Sequence, residues 1–135
     1  MTKKEVRMIR KQIHTEKAPA AIGSYSQAIE AGNVIFLSGQ IPLDPSSMAL
    51  VEGNIQRHVE QVFDNMKNVL EAAHSSLENV VKLTVYLTNL SDVAVVNEAI
   101  ARYFQQPYPA RTTIQVSALP KGATVEIEGI AVNRP

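Results

Sequence analysis

Two stretches of helical periodicity, each followed by residues that alternate like a strand, constrain this chain more than any other feature. Ile55, Val59, Val62, Phe63, Met66, Val69 and Leu70 fall three and four apart. This spacing predicts a helix over 55–73 with one apolar face. Asn54 is suited to cap its start, because a short polar side chain can accept from a free amide of the first turn. Residues 80–88 then alternate, with Val81, Leu83, Val85 and Leu87 on one side and Lys82, Thr84 and Tyr86 on the other, the pattern of a half-buried strand. A second helix is predicted over 92–105, with Val93, Val96, Ile100, Tyr103 and Phe104 inward and Pro107 and Pro109 ending it. Strands at 111–117 and 124–132 follow.

Upstream, 8–14 reads as a first strand, and the chain is extended around Tyr25. Gly32-Asn33 reads as a hairpin turn, and 34–37 as a strand that gives way to a loop at Ser38-Gly39. The order is therefore hairpin, α, β, α, β, β. Right-handed crossovers place both helices on one face of the sheet. The other face is left bare and must meet solvent or another subunit.

At 135 residues the chain fits a single α+β domain over 1–135, with 1–7 as a loose leader. It has 13 basic and 13 acidic residues, so it lacks the net basic charge that drives phosphate binding, and a nucleic-acid partner is not expected. The basic run Lys3, Lys4, Arg7, Arg10, Lys11 includes Glu5 and no aromatic residue, which reads as a solvated tail. The absence of cysteine removes disulfides, thiol nucleophiles and cysteine-ligated metals. His14, His58 and His74 lack metal-ligand spacing, so neither metal nor cofactor is expected. No apolar run is long enough for a membrane span and no secretory signal is evident, which predicts a cytosolic protein without a membrane partner.

Among residues able to carry chemistry, alternation groups Arg111, Thr113 and Gln115 on one face of their strand, and Glu126, Glu128 and Ile130 on one face of theirs. If the apolar sides meet the helices, Arg111 and Glu126 both point to the bare face. A guanidinium there could grip a carboxylate through two bonds, and a carboxylate nearby could hold water or move a proton. Spacing alone leaves open a simple Arg–Glu ion pair between strands. Ser38 has no G-x-S-x-G elbow and no evident triad partner. Tyr25 could stack on a ligand, or be an ordinary half-buried strand tyrosine. Asn97, within a helix, is as readily an exposed polar residue.

The segments APAAIGSYSQAI, VIFLSGQIP, NMKNVLEAA, VVKLTVYLTNL and YPARTTIQVSALPKGATVEIEGIAV, spread from about residue 13 to 133, resemble the RidA (YjgF) family of reactive-intermediate imine deaminases. The resemblance implies a chorismate-mutase-like α+β fold with a mixed sheet and two helices on one face. It implies a homotrimer around a central barrel, with sites in the clefts between subunits. It also implies hydrolysis of 2-iminobutanoate and 2-iminopropanoate to 2-oxo acids and ammonia, without metal or cofactor. Arg111 of the P-A-R segment would bind the substrate carboxylate, and Glu126, first of V-E-I-E, would activate water. Tyr25, Ser38, Gly39, Asn97 and Thr113 would line the pocket.

Ser24 stands where many members have proline, His74 where the first helix often ends in glycine, and Thr113 where some deaminases carry cysteine. The loop Ser46-Ser47-Met48-Ala49 lacks the common T-G turn. The same arginine would equally serve a protein that binds 2-oxo acids without turning them over. Some members of the family have been described as translation inhibitors or ribonucleases, which the neutral charge argues against, and a chaperone-like trimer is a further alternative.

Overall fold

The computed structural model describes residues 1–133, and for Val6, Arg7 and Met8 the backbone alone; Arg134 and Pro135 lie outside the described residues. In chain order the elements are α1 (Lys3–Ile9), β1 (Lys11–Ile13), β2 (Ala28–Ala31), β3 (Val34–Gln40), α2 (Ile55–Ala72), β4 (Val80–Leu87), α3 (Val93–Tyr103), β5 (Ala110–Gln115) and β6 (Val125–Val132). One six-stranded sheet runs β1-β2-β3-β6-β4-β5. All neighbours are antiparallel except β4 and β5, which are parallel across α3. β3 and β4 flank β6, so β3-α2-β4 is a crossover with a later strand inserted between its arms.

Both long helices form where the periodicity predicts. Asn54 caps α2, its side chain accepting from the Arg57 amide. Val59, Val62, Phe63, Met66, Val69 and Leu70 are buried against Ile35, Leu83, Val85, Leu87, Val125 and Ile127. Phe63 joins the two helices, edge-on to Phe104 with ring centroids 5.2 Å apart and tilted on Tyr103 at 5.3 Å, geometry favoured by the ring quadrupoles. Tyr103 donates to Asp64 at 2.9 Å; burial first, then this carboxylate, pushes its phenol up to about 12.

The N-terminal elements differ from expectation. The segment read as a loose leader carries α1. Thr2 and Glu5 cap one another there, each side chain accepting from the other's backbone N–H, a capping box that supplies two of the orphan bonds of a helix start. The strand expected over 8–14 shortens to Lys11–Ile13. In β4 the pairing shifts between Val80 and Lys82. This bulge turns Val81 outward, 46% exposed, and puts Val80 in its place in the core. The structure also runs β3 through Ser38-Gly39 to Gln40, with a register shift between Leu37 and Gln40 where a loop was expected.

α2 ends with Ser75 N–H donating to Leu70 O at 2.9 Å and His74 N–H to Glu71 O at 3.0 Å. His74 sits at φ 58, a left-handed conformation that penalises a side chain but not glycine. His74→Gly is expected to stabilise the fold by roughly 0.5–1 kcal/mol. Urea unfolding would read this as a higher midpoint at unchanged slope.

Candidate functional site

The registers settle which way each candidate points, and they overturn one expectation. Arg111 pairs with Leu83, and Thr113 with Val85, both buried under the helices. Partners in a ladder share a face, so Arg111 and Thr113 lie on the helix side. Glu126 pairs with Tyr86 and Glu128 with Thr84, on the bare side. Arg111 and Glu126 of one chain therefore face opposite sides of the sheet. The assumption that the apolar side of β5 meets the helices fails because β5 is an edge strand. Ile114 is turned to the bare face, 42% exposed, and α3 offers β5 the short or polar side chains of Asn97 and Ala101.

The candidates gather into two groups. The first lines a cavity of about 530 Å³ and contains Tyr25, Ser38, Gly39 and Glu126, with Gln27 and Lys121 and an apolar wall that includes Leu43 and Met48. The bulge in β3 builds it. Ser38 N–H donates to Gln27 O at 3.0 Å and its hydroxyl donates to Ser26 O, while the extra residue in β3 re-aims Gly39. A Cβ on Gly39 would overlap the Glu126 carboxylate, so only glycine leaves room for it. Gln27 is buried, and its side chain accepts from Thr15 N–H at 2.8 Å and donates to Pro19 O at 2.8 Å. That holds the segment leading to Tyr25, whose hydroxyl accepts from Ile22 N–H at 3.2 Å. Burial, and then the neighbouring charge of Glu128, push the Glu126 carboxyl up from the ordinary range. Both effects penalise its ionised form.

The second group lines a cavity of about 410 Å³ between α3 and β5, with Asn97, Arg111, Tyr108, Leu83, Ile100 and Ala101. Thr113 lies outside both cavities; its hydroxyl is buried and meets no hydrogen-bond partner. Among the described residues, no three His, Asp or Glu side chains converge as metal ligands, and no helix is long and apolar enough to cross a membrane. Gln27, Lys121 and Tyr108 were not picked out as candidates from the sequence. Gln27 and Tyr108 sit inside the S-Y-S-Q and Y-P-A-R segments, which was the available signal; Lys121 follows no pattern that marks a pocket. Gly39→Ala should displace the Glu126 carboxylate and cut any activity that depends on it at least tenfold, with a circular-dichroism spectrum like the wild type's.

A mixed sheet with its two long helices on one face, and a largely apolar cavity holding one carboxylate at a strand bulge, defines an α+β domain with a pocket sized for a small molecule. The profile of the family described as endoribonuclease L-PSP matches residues 15–133, and the chain belongs to this family, the RidA (YjgF) group. It is 53% identical to Protein DfrA of Myxococcus xanthus, over 94% of this chain and 98% of that one. It is 50% identical to the 2-iminobutanoate/2-iminopropanoate deaminase of Mus musculus, over 95% of each. The crystal structure of RidA from the Antarctic bacterium Psychrobacter superimposes with a TM-score of 0.88 at 53% identity, covering 91% of this chain and 99% of that chain.

Proposed function

We propose that this chain hydrolyses 2-imino acids, 2-iminobutanoate and 2-iminopropanoate among them, to 2-oxo acids and ammonia, in sites shared between subunits of a trimer. The observation that carries this reading is the division of the chemistry into two half-sites on opposite faces of one sheet, in a chain about 50% identical to a named imine deaminase. A carboxylate anchor on one face and a water-activating carboxylate on the other cannot serve one substrate within a chain. A neighbouring copy, set in a ring by a head-to-tail interface, brings the two together. The bare face supplies apolar area for such packing, with Phe36, Val81 and Ile114 all more than 40% exposed.

In this arrangement Arg111 grips the substrate carboxylate with its planar fork, and Asn97 and Tyr108 shape the space beside it. The imine carbon enters the neighbour's larger cavity. Glu126 there accepts a proton from water as its oxygen bonds to the carbon of the protonated imine, giving a neutral carbinolamine. Glu126 returns that proton to the amine nitrogen, the C–N bond breaks to release ammonia, and the Glu126 carboxylate takes the hydroxyl proton as the carbonyl forms and passes it on to ammonia or solvent. A carboxyl pushed up by its surroundings suits both halves of this transfer. Because free imines already decay in water, positioning and proton transfer can supply the acceleration.

The test is to generate 2-iminobutanoate with a PLP-dependent dehydratase in the presence of semicarbazide. The protein should suppress the trapped product in proportion to its concentration. Full trapping at any protein concentration, with 2-oxobutanoate still bound, would leave a carboxylate-binding protein without turnover.

A further inference from the structure

A ladder of polar side chains runs along α2 from the exposed Arg57 to the buried Gln61 and Asn65, and ends on a wall of the Glu126 cavity. Arg57 Nη2 donates to Gln61 Oε1 at 2.8 Å, Gln61 Nε2 to Asn65 Oδ1 at 2.9 Å, and Asn65 Nδ2 to the Leu43 carbonyl at 3.0 Å. The residues lie four apart, so they stack on one helix face. Gln61 is 8% exposed and Asn65 fully buried, a placement that the hydrophobic periodicity of α2 does not require. The ladder has a fixed polarity. A guanidinium only donates, so Gln61 must present its oxygen to Arg57 and its amide to Asn65. Asn65 in turn must accept from Gln61, which leaves its N–H for Leu43.

What hangs from the last rung is a closed loop. Leu43 bridges Leu50, Asp44 N–H donates to Ala49 O at 2.9 Å and Val51 N–H to Pro42 O at 2.9 Å. The segment therefore shifts as a unit, and it carries Leu43 and Met48 into the cavity wall. Lys121 fastens its far side, donating to Met48 O at 3.0 Å. Asn65 itself does not line the cavity.

We propose that Asn65 is a positioning residue that sets the apolar wall of Leu43 and Met48 through the Leu43 carbonyl, and so decides how the substrate's side chain is read. This rests on the imine hydrolysis proposed above. Without the anchor, the wall drifts, and contact with the side chain is lost while Arg111 and Glu126 keep their places. Selectivity and KM should then move more than kcat.

Asn65→Leu keeps the branched side-chain skeleton and removes both the donor to Leu43 and the acceptor of Gln61. Hydrogen exchange of the Asp44, Met48 and Val51 amides should speed up roughly five- to tenfold, the worth of one such bond, with the amides of α2 and of the β3–β6 ladder unchanged. The ratio of kcat/KM for 2-iminobutanoate over 2-iminopropanoate should move toward unity by roughly three- to fourfold, the worth of one buried methylene. If Asn65→Leu does not fold, Gln61→Met and the surface change Arg57→Ala, which loosen the ladder without touching its last rung, should move both readouts the same way by less. Folded variants with wild-type loop exchange and a wild-type ratio would overturn the proposal. So would exchange that rises uniformly with KM and the ratio unmoved, because that is a purely structural role. A wild type that leaves imines intact would sink the proposed reaction instead, and the exchange of the loop would still decide what Asn65 holds.

Discussion

Arg111→Lys is expected to lose roughly ten- to a hundredfold in kcat/KM, the cost of a charge-assisted hydrogen bond of about 1.5–3 kcal/mol, although the charge is kept. An ammonium is a compact point charge on a flexible stem and cannot reproduce the two parallel bonds of a guanidinium. The imine carbon would also drift from the water that attacks it. Arg111→Ala should go further and abolish 2-oxobutanoate binding in a calorimeter. The fold should tolerate both changes. Arg111 is exposed on an edge strand, so its removal leaves no buried partner unpaired. An arginine that merely made an ion pair between strands would behave in the opposite way, with a small stability change and intact binding. Alanine at 111 with wild-type affinity for 2-oxobutanoate would remove the anchor from the site.

The helices and the bare face were legible because their signals are local. Val59, Val62, Phe63 and Met66 repeat at helical spacing, and two helices on one side of a sheet leave the other side open whatever their loops do. The two bulges were not legible, since a bulge is set by pairing with a neighbour. Nothing in Val80-Val81-Lys82 says which valine is turned outward, and nothing in Ser38-Gly39 says that β3 continues. The largest difference concerns Arg111. Its strand offers Ile114 and Thr113 to opposite faces, and hydrophobicity alone assigns Ile114 to the core. The structure assigns Thr113 there instead, leaving its hydroxyl buried and unpaired. A sheet with a second apolar surface, on the side its helices leave uncovered, inverts that rule. Family resemblance named Tyr25, Ser38, Gly39 and Glu126 of one cavity and Asn97 and Arg111 of the other, with Thr113 in neither, but it could not say which of them share a cavity within a single chain.

Glu126→Gln should lower turnover by about a hundredfold or more, the contribution of a positioned general base, while binding of 2-oxobutanoate is retained, because the amide keeps the shape. The proposed reaction uses the ionised carboxylate as its base, and burial holds that carboxyl above its ordinary range. The acid limb of the rate profile should therefore lie at higher pH than a free glutamate would give. Stability moves in a linked way. A carboxyl with a raised folded pKa binds its proton more tightly folded than unfolded, so stability is lost as pH climbs from the ordinary carboxylate range through the raised value. Glutamine should make the protein slightly more stable than wild type above that window, with the advantage gone below it; Tm measured at several pH values would show the crossover. Mixing separates a shared site from a single-chain one. When Arg111→Ala and Glu126→Gln chains are unfolded and refolded together in equal amounts, about a quarter of the interfaces in a ring pair an intact Arg111 with an intact Glu126. Activity near a quarter of wild type is expected from two preparations that are each nearly inactive. Mixed samples no more active than either parent would place both groups within one chain's site, against the division of the sheet on which the proposed mechanism depends.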